Sequence, residues 1–210
     1  MWNFEDRTDA GRELARSLMH RTYEDAVVLG LPRGGVPVAA EVARGLNAPL
    51  DVIVVRKVGA PGHPEVAMAA VGEDGASVRN PDVIAAAGVD EEQLAVAEQN
   101  SRGEVEGRLR TLRAGRAAEP IAGRVAIIVD DGIATGATMR TACAVARARG
   151  ARRVIAAVPV AAPDALAGLD DADEIVCLCA PSDFSAVGMH YIDFRQTTEE
   201  EVRRLLAEAH

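Results

Sequence analysis

The chain has 210 residues, enough for one domain at about 150 residues per domain and enough to bury a core without disulfides or metal staples. Hydrophobic residues make up 49% and charged residues 26%, which excludes a largely disordered chain, and no apolar run approaches the ~20 residues of a membrane span. The net charge of −9 argues against a general nucleic-acid binder but leaves room for a small, locally basic phosphate pocket.

In chain order, the spacing predicts a helix over about 8–19, a strand over 26–31, and a helix over 36–46 with Pro37 in its first turn, where a missing N–H costs nothing. The branched run DVIVVRK predicts a second strand over 50–57. A Gly/Pro/His segment, VGAPGHPE, then reads as a loop, and 67–71 with 76–79 reads as a short hairpin around GEDG. A long polar helix is expected over 90–114, a strand over 124–130, and a helix over 137–149 ended by Gly150. A strand over 154–160, a short helix PDALAGL and a strand over 174–179 follow. The tail holds an aromatic-bearing loop and a last helix from 198 to about 209, with Thr197 or Thr198 as N-cap. Strands alternating with helices indicate an α/β fold: a Rossmann-like parallel sheet with helices on both faces. The N-terminal helix and the C-terminal loop stand outside this alternation and read as an appended lid on a single domain, 1–210.

Two composition details sharpen the search. The first ten residues, MWNFEDRTDA, lack the basic flank and apolar stretch of a signal peptide, so the expected location is cytoplasmic. The odd trio Cys143, Cys177 and Cys179 implies no disulfide framework, and with no further Cys or His nearby the pair 177/179 reads as buried thiols rather than a metal site. Of 23 basic residues 22 are Arg, so the one lysine, Lys57, marks a place where a compact ammonium is wanted.

The chemistry concentrates in VAIIVDDGIATGAT, residues 125–138. A buried strand ends in two carboxylates, Asp130 and Asp131, and a small-residue loop leads into a helix. Ligands of open α/β sheets bind beyond the carboxyl ends of the strands. Backbone N–H groups of Ala134, Thr135, Gly136, Ala137 and Thr138 at the helix N-terminus form a phosphate cradle, with hydroxyls from the two threonines. Two acids beside such a cradle make sense for a sugar phosphate: they accept from ribose hydroxyls, the phosphate sits in the loop, and a divalent cation offsets the remaining charge.

DDGIATGAT resembles the PRPP-binding motif of the type I phosphoribosyltransferases, with Gly132 standing where many members carry an aliphatic residue. LPRGGVP, residues 31–37, resembles that family's pyrophosphate loop, which often holds an unusual peptide geometry; the likeness assigns Arg33, Gly34 and Gly35 to pyrophosphate. Arg56 and Lys57 match an Arg-Lys pair that faces pyrophosphate in the adenine and orotate enzymes. Residues 58–74 fall where the family has a mobile loop that closes over the site, with His63 and Glu65 as candidates for proton transfer. The ends of the chain, about 1–20 and 180–210, fall where the family has its variable hood; Phe184 and Tyr191, with His190 and Phe194 nearby, are candidates for gripping an acceptor base. The chain is most similar to the uncharacterised branch that carries both LPRGGVPVA and DDGIATGAT.

The resemblance implies transfer of 5-phosphoribosyl from PRPP to a nitrogenous base, or the reverse pyrophosphorolysis, with Mg²⁺ held by Asp130 and Asp131 and partly by PRPP, in nucleotide salvage. It implies small-molecule partners, no nucleic acid, no membrane and a homodimer. The hypoxanthine–guanine enzymes place a lysine after the strand that follows the PRPP motif; here that stretch is VPVAAPDA, which disfavours a 6-oxopurine acceptor. An orotate enzyme has further basic residues in its mobile loop, and GAPGHPE has none. The rival expectations are a non-catalytic PRPP or nucleotide sensor and phosphate-dependent sugar-phosphate chemistry at the same site.

Overall fold

The computed structural model describes residues 3–209, apart from the side chain of Glu65. The chain runs α1 (Arg7–Met19), β1 (Ala26–Gly30), α2 (Gly35–Leu46), β2 (Leu50–Val52), β3 (Arg56–Ala60), β4 (His63–Val71), β5 (Ser77–Arg79), α3 (Pro81–Ala87), α4 (Glu91–Arg113), β6 (Val125–Val129), α5 (Ala137–Ala148), β7 (Arg153–Val160), α6 (Pro163–Ala167), β8 (Glu174–Cys179) and α7 (Glu199–Glu208). Five strands form one parallel sheet in the order β2-β1-β6-β7-β8, and β3-β4-β5 form a second, antiparallel sheet.

Period-two alternation puts successive residues of each central strand into different cores. Val28, Ile127 and Val129 face a core shared with α1, α2, α4 and α7, through Leu14, Val42, Leu109 and Leu206. Val27, Leu29, Ala126 and Ile128 face α5 and α6, through Met139, Val145 and Ala165. The expected parallel sheet with helices on both faces is therefore present. Among the described residues no helix is long and apolar enough to cross a membrane.

The strand expected over 50–57 breaks after Val52. The reason is the neighbouring strand: β1 ends at Gly30, whose carbonyl accepts from Ile53 N at 3.1 Å, so no partner remains for the residues beyond. Ile53 and Val54 stay buried without a ladder, and Arg56 opens β3 in the other sheet. Residues 58–65, expected as a loop and lying in the segment the resemblance made a mobile loop, are instead mostly strand: β3 and β4 pair as a hairpin, Lys57 opposite Ala70. Gly59 permits this, since a Cβ there would come within 2.6 Å of Pro64 backbone atoms. The short hairpin expected from 67–71 and 76–79 is present as the pairing of β4 with β5.

A buried ion network fixes the second sheet to the first. Arg113, at the end of α4, donates to both carboxylate oxygens of Asp51 in β2 (2.9 and 2.7 Å) and also bonds Glu73 at the β4–β5 turn. Removing one partner of such a network leaves an uncompensated buried charge, typically at a cost of ~3–5 kcal/mol. The helix starts are capped as their sequences demand: Asp90 and Gln93 form a reciprocal capping box on α4, and Thr198 Oγ1 accepts from Glu201 N on α7.

Candidate functional site

In a doubly wound sheet the crevice opens where the strand order reverses. Here the chain leaves β1 toward β2 on one side, while β6, β7 and β8 build the other, so the switch point lies between β1 and β6. The loops after these two strands meet there. Leu31 N donates to Val129 O at 2.8 Å, and Gly35 N to Leu31 O at 3.0 Å, folding residues 31–35 back onto the end of β6. The Pro32–Arg33 peptide is cis, the kind of geometry the resemblance implies for this loop.

The two glycines of that loop show how close the approach is. A Cβ on Gly34 would overlap Asp131 Oδ2 and lie 2.8 Å from its Cγ; one on Gly35 would lie 2.6 Å from Val129 O and 2.8 Å from Asp130 Cα. No larger residue fits either position without moving the acid pair. Arg33, one residue before this turn, is half-buried and has no carboxylate partner among the described residues, in a chain where most arginines are ion-paired.

Beyond the acids, Ile133 pins the loop by donating to Val160 O (2.9 Å) and accepting from Ala162 N (2.8 Å). Gly136 takes a left-handed conformation, φ 74°, immediately before α5, and Thr135 Oγ1 accepts from Ala137 N at 3.4 Å. The result is a cleft of about 190 Å³ lined by Asp130, Gly132, Ile133, the loop 134–138, Met139 and Val187. A larger hollow of about 460 Å³ lies between the end of α2 and α7, just before β2 and away from the strand ends that carry the cleft, lined largely by Ala40, Ala43, Ala48, Pro49 and Leu205.

Asp130 is hemmed in by protein, and desolvation together with the adjacent charge of Asp131 pushes its carboxyl well above the usual carboxylate range; the Arg7 guanidinium pulls the other way. Arg7, which the sequence did not mark, donates through Nε to Asp131 Oδ2 at 2.8 Å, with its Nη2 at ion-pair distance, 2.8 Å, from the same oxygen. Tyr191 is buried and donates from its hydroxyl to the backbone carbonyl of Asp131 at 2.5 Å; burial and the nearby acid push its phenol up. Gly132 also finds its reason here: a Cβ would come within 2.5 Å of Val187 Cγ1, because a short 3-10 turn, Val187–His190, occupies that space.

The hood aromatics pack on one another. Phe4 and Tyr191 lie 5.5 Å apart, Tyr191 and Phe194 5.0 Å, and Phe184 stacks on His190 at 5.7 Å. An isolated bridge between Phe4 and Tyr191 ties the two ends of the chain together. Arg56 and Lys57 stand exposed on β3, where Arg56 pairs with Glu104 of α4; among the described residues neither is hydrogen-bonded or ion-paired to the acids or the 134–138 loop. His63 is exposed at the start of β4, and the side chain of Glu65 lies outside the described residues.

Comparison with known proteins settles the family: the phosphoribosyl transferase domain model matches residues 3–193. The chain belongs to the phosphoribosyl transferase domain family. Within this family it is 51% identical, over 208 residues, to a Mycobacterium tuberculosis protein provisionally named a phosphoribosyl transferase, recorded in two strains of that organism. The match covers 99% of this chain and 47% of that protein, so the chain spans about half the length of the curated relatives it matches. The crystal structure of the protein TT1426 from Thermus thermophilus is 46% identical, with a TM-score of 0.91 and 99% of each chain covered. A hypothetical protein from Neisseria gonorrhoeae shares the fold at 14% identity, with a TM-score of 0.52 over 100% of this chain and 96% of that one.

Proposed function

We propose that this phosphoribosyl transferase domain is an active pentosyltransferase that uses PRPP, displacing pyrophosphate from C1 of the ribose by a nitrogenous base in nucleotide salvage, in the cytoplasm and as a homodimer. One observation carries the reading. The Gly34–Gly35 turn and the Asp130–Asp131 strand end interlock at the switch point, leaving an open cradle of backbone N–H groups directly alongside. One loop is suited to a diphosphate, the acid pair to ribose hydroxyls and the cradle to a 5′-phosphate.

In this scheme the cradle 134–138 anchors the 5′-phosphate, and each hydrogen bond to a charged oxygen contributes ~1.5–3 kcal/mol. Asp130 and Asp131 orient the ribose. Arg33 holds pyrophosphate oxygens in its planar fork, helped by the N–H groups of Gly34 and Gly35, and Lys57 supplies an ammonium as β3 approaches the bound substrate. The transition state resembles a ribosyl cation leaving a diphosphate, so cations preset around the leaving group stabilise it more than the ground state. No covalent nucleophile is needed, and positioning does much of the work.

The donor set fits a magnesium ion carried chiefly by substrate. Mg²⁺ keeps several waters and takes one or two carboxylates plus substrate phosphates. Asp130 and Asp131 supply that number, and no group of three or more His, Cys, Asp or Glu suited to a metal occurs among the described residues. When bound, the ion would offset diphosphate charge; Asp130 and Asp131 with PRPP oxygens would hold it. The chain reads as a single domain whose hood, from 1–20 and 180–210, meets the acceptor, with Phe184 the more open of its two candidate aromatics. After β7 the chain passes through Ala161 and Ala162 into α6 without a lysine, which disfavours a 6-oxopurine.

The test is turnover of isotope-labelled PRPP with a panel of bases and with phosphate alone. Base-dependent pyrophosphate release supports the reading. Turnover with phosphate alone replaces it with phosphate-dependent chemistry, and tight PRPP binding with no turnover on any acceptor replaces it with a sensor.

A further inference from the structure

The cradle at the start of α5 is short of positive charge. None of the described residues that line the cleft is basic, and one of them, Asp130, is acidic. Residues 134–138 offer only neutral N–H and hydroxyl donors. A phosphate ester at neutral pH carries close to two negative charges, so neutral donors beside a carboxylate leave that charge without a counter-ion. The sequence holds no basic residue between Arg124 and Arg140, which makes Arg140 the basic side chain nearest to the loop along the chain.

Arg140 is the fourth residue of α5, and its backbone N–H closes the first turn by donating to Gly136 O at 2.9 Å. Its side chain leans back toward the helix start, as long helical side chains do. Nη1 lies 3.1 Å from the place a Cβ on Gly136 would take, and 3.1 Å from that of a Cβ on Gly168, the C-cap of α6. The half-buried residue is thus lodged between the back of the cradle and the end of α6, in a slot that two glycines leave open. Among the described residues its side chain has no hydrogen bond or ion pair, and the first turn of α5 holds no acid. A cation near a helix N-terminus opposes the helix dipole. Without an acid beside it the Arg140 charge is unfavourable in the empty chain, and a bound dianion offsets it.

We infer that Arg140 is a positioning residue of the cradle: from behind the loop it supplies the positive charge that holds a doubly charged phosphate group, and so sets a preference for a phosphate ester over a singly charged one. This rests on the reading of the loop as a 5′-phosphate cradle and names the side chain that gives it charge selectivity. Coulomb energy scales with the charge of the ligand, so the guanidinium favours a dianion about twice as strongly as a monoanion at the same place.

Calorimetric titration of the full chain at about pH 7.5 with ribose 5-phosphate and with ribose 5-sulfate tests this, because the two esters share a tetrahedral shape and differ in charge. Arg140→Met raises the Kd of ribose 5-phosphate about tenfold, the low end for one charge-assisted contact, and that of the sulfate about threefold, half the free energy. Arg140→Lys restores most of the lost preference. Arg140→Gln, polar and uncharged, carries the same comparison should Arg140→Met not fold. In urea the ligand-free uncharged variant is at least as stable as the wild type, since an unfavourable charge has been removed. Equal losses for the two esters, or an unchanged Kd for ribose 5-phosphate, overturn the inference; the first would make Arg140 a packing residue between α5 and α6. A wild-type chain that binds ribose 5-phosphate with this dependence on Arg140 but does not bind PRPP refutes the substrate reading and leaves the inference intact. One that binds neither overturns both.

Discussion

Adding one methyl group to Gly34 and one to Gly35 should give two different losses, because the two groups meet different obstacles. Gly34 has φ −62° and ψ −34°, a conformation alanine adopts readily, so backbone strain contributes nothing. Restricting the unfolded chain would by itself favour alanine by about 0.4–1 kcal/mol. Against this, the new Cβ overlaps Asp131 Oδ2 and sits 3.3 Å from Arg7 Nε. The carboxylate must swing away and lose its bonds to Arg7, worth ~1.5–3 kcal/mol. The net expectation is a loss of about 1–2 kcal/mol with an intact fold. At Gly35 the obstacles are Val129 O and Asp130 Cα, at 2.6 and 2.8 Å, which are backbone and cannot rotate aside. The sheet end itself must move, and the loss should reach ~3 kcal/mol, the upper end of the overpacking range. Urea unfolding with a common m-value measures both. Equal losses, or a Gly34→Ala chain as stable as the wild type, would refute the argument that the two loops interlock through these glycines.

Three further expectations rest on the same geometry. Lys57→Ala should weaken PRPP binding and slow turnover about 10- to 100-fold, with Lys57→Arg restoring only part, since a planar fork does not replace a point charge; free exchange for Arg would return Lys57 to the role of a solvated strand residue. Gly132→Ala should destabilise by ~1–3 kcal/mol through the clash with Val187, and adding Val187→Ala should recover part of that in the same urea assay. Glu98 is buried and accepts from Arg79 Nε and Nη2 (2.9 Å each) and Ser77 Oγ (2.7 Å); the hydrogen bonds from Arg79 hold its carboxyl below the usual range. A lowered folded pKa means stability present above the unfolded value of ~4.3 and lost as pH falls through the folded one. Unfolding of Glu98→Gln should therefore fall short of the wild type by about 1.5–3 kcal/mol at pH 7, with the gap closing in acid; a gap constant down to pH 3 would contradict it.

The sheet was legible because its signal is local. The unbroken apolar runs at 125–129 and 26–30 report strands buried on both faces, and Asp130–Asp131 is a polar stop on the first of them. The strand expected at 50–57 shows the limit of that signal: Ile53 and Val54 are apolar because they are buried, yet the ladder ends before them with the bond from Ile53 N to Gly30 O, and burial alone does not specify a ladder. Residues 58–65 were masked by their own punctuation: Gly59, Pro61, Gly62 and Pro64 suggest a loop, whereas Gly59 is there for close approach to the Pro64 backbone and Gly62 for its φ of 76° at the hairpin turn. Helix α3 went unread because it is short and buries no residue fully: Val83, Ile84 and Ala87 pack only partly against the core, and its clearest marks are the caps at Asn80 and Gly88. At the site, the glycine loop and the acid pair were readable as separate motifs, and the sheet order brings them together. Arg7 was not readable at all: its partner Asp131 lies 124 residues away, and nothing local distinguishes it from the other arginines of an Arg-rich chain.

The central claim is that the strand ends at the switch point form a PRPP site, and calorimetric titration of the full chain with PRPP, with and without Mg²⁺, tests it most directly. The account predicts saturable binding at one site per chain that strengthens markedly when Mg²⁺ is added and is lost in a chain carrying both Asp130→Asn and Asp131→Asn. Equal affinity with and without the ion would remove the metal from the site; no heat of binding under either condition, or a double variant that binds like the wild type, would contradict the assignment itself.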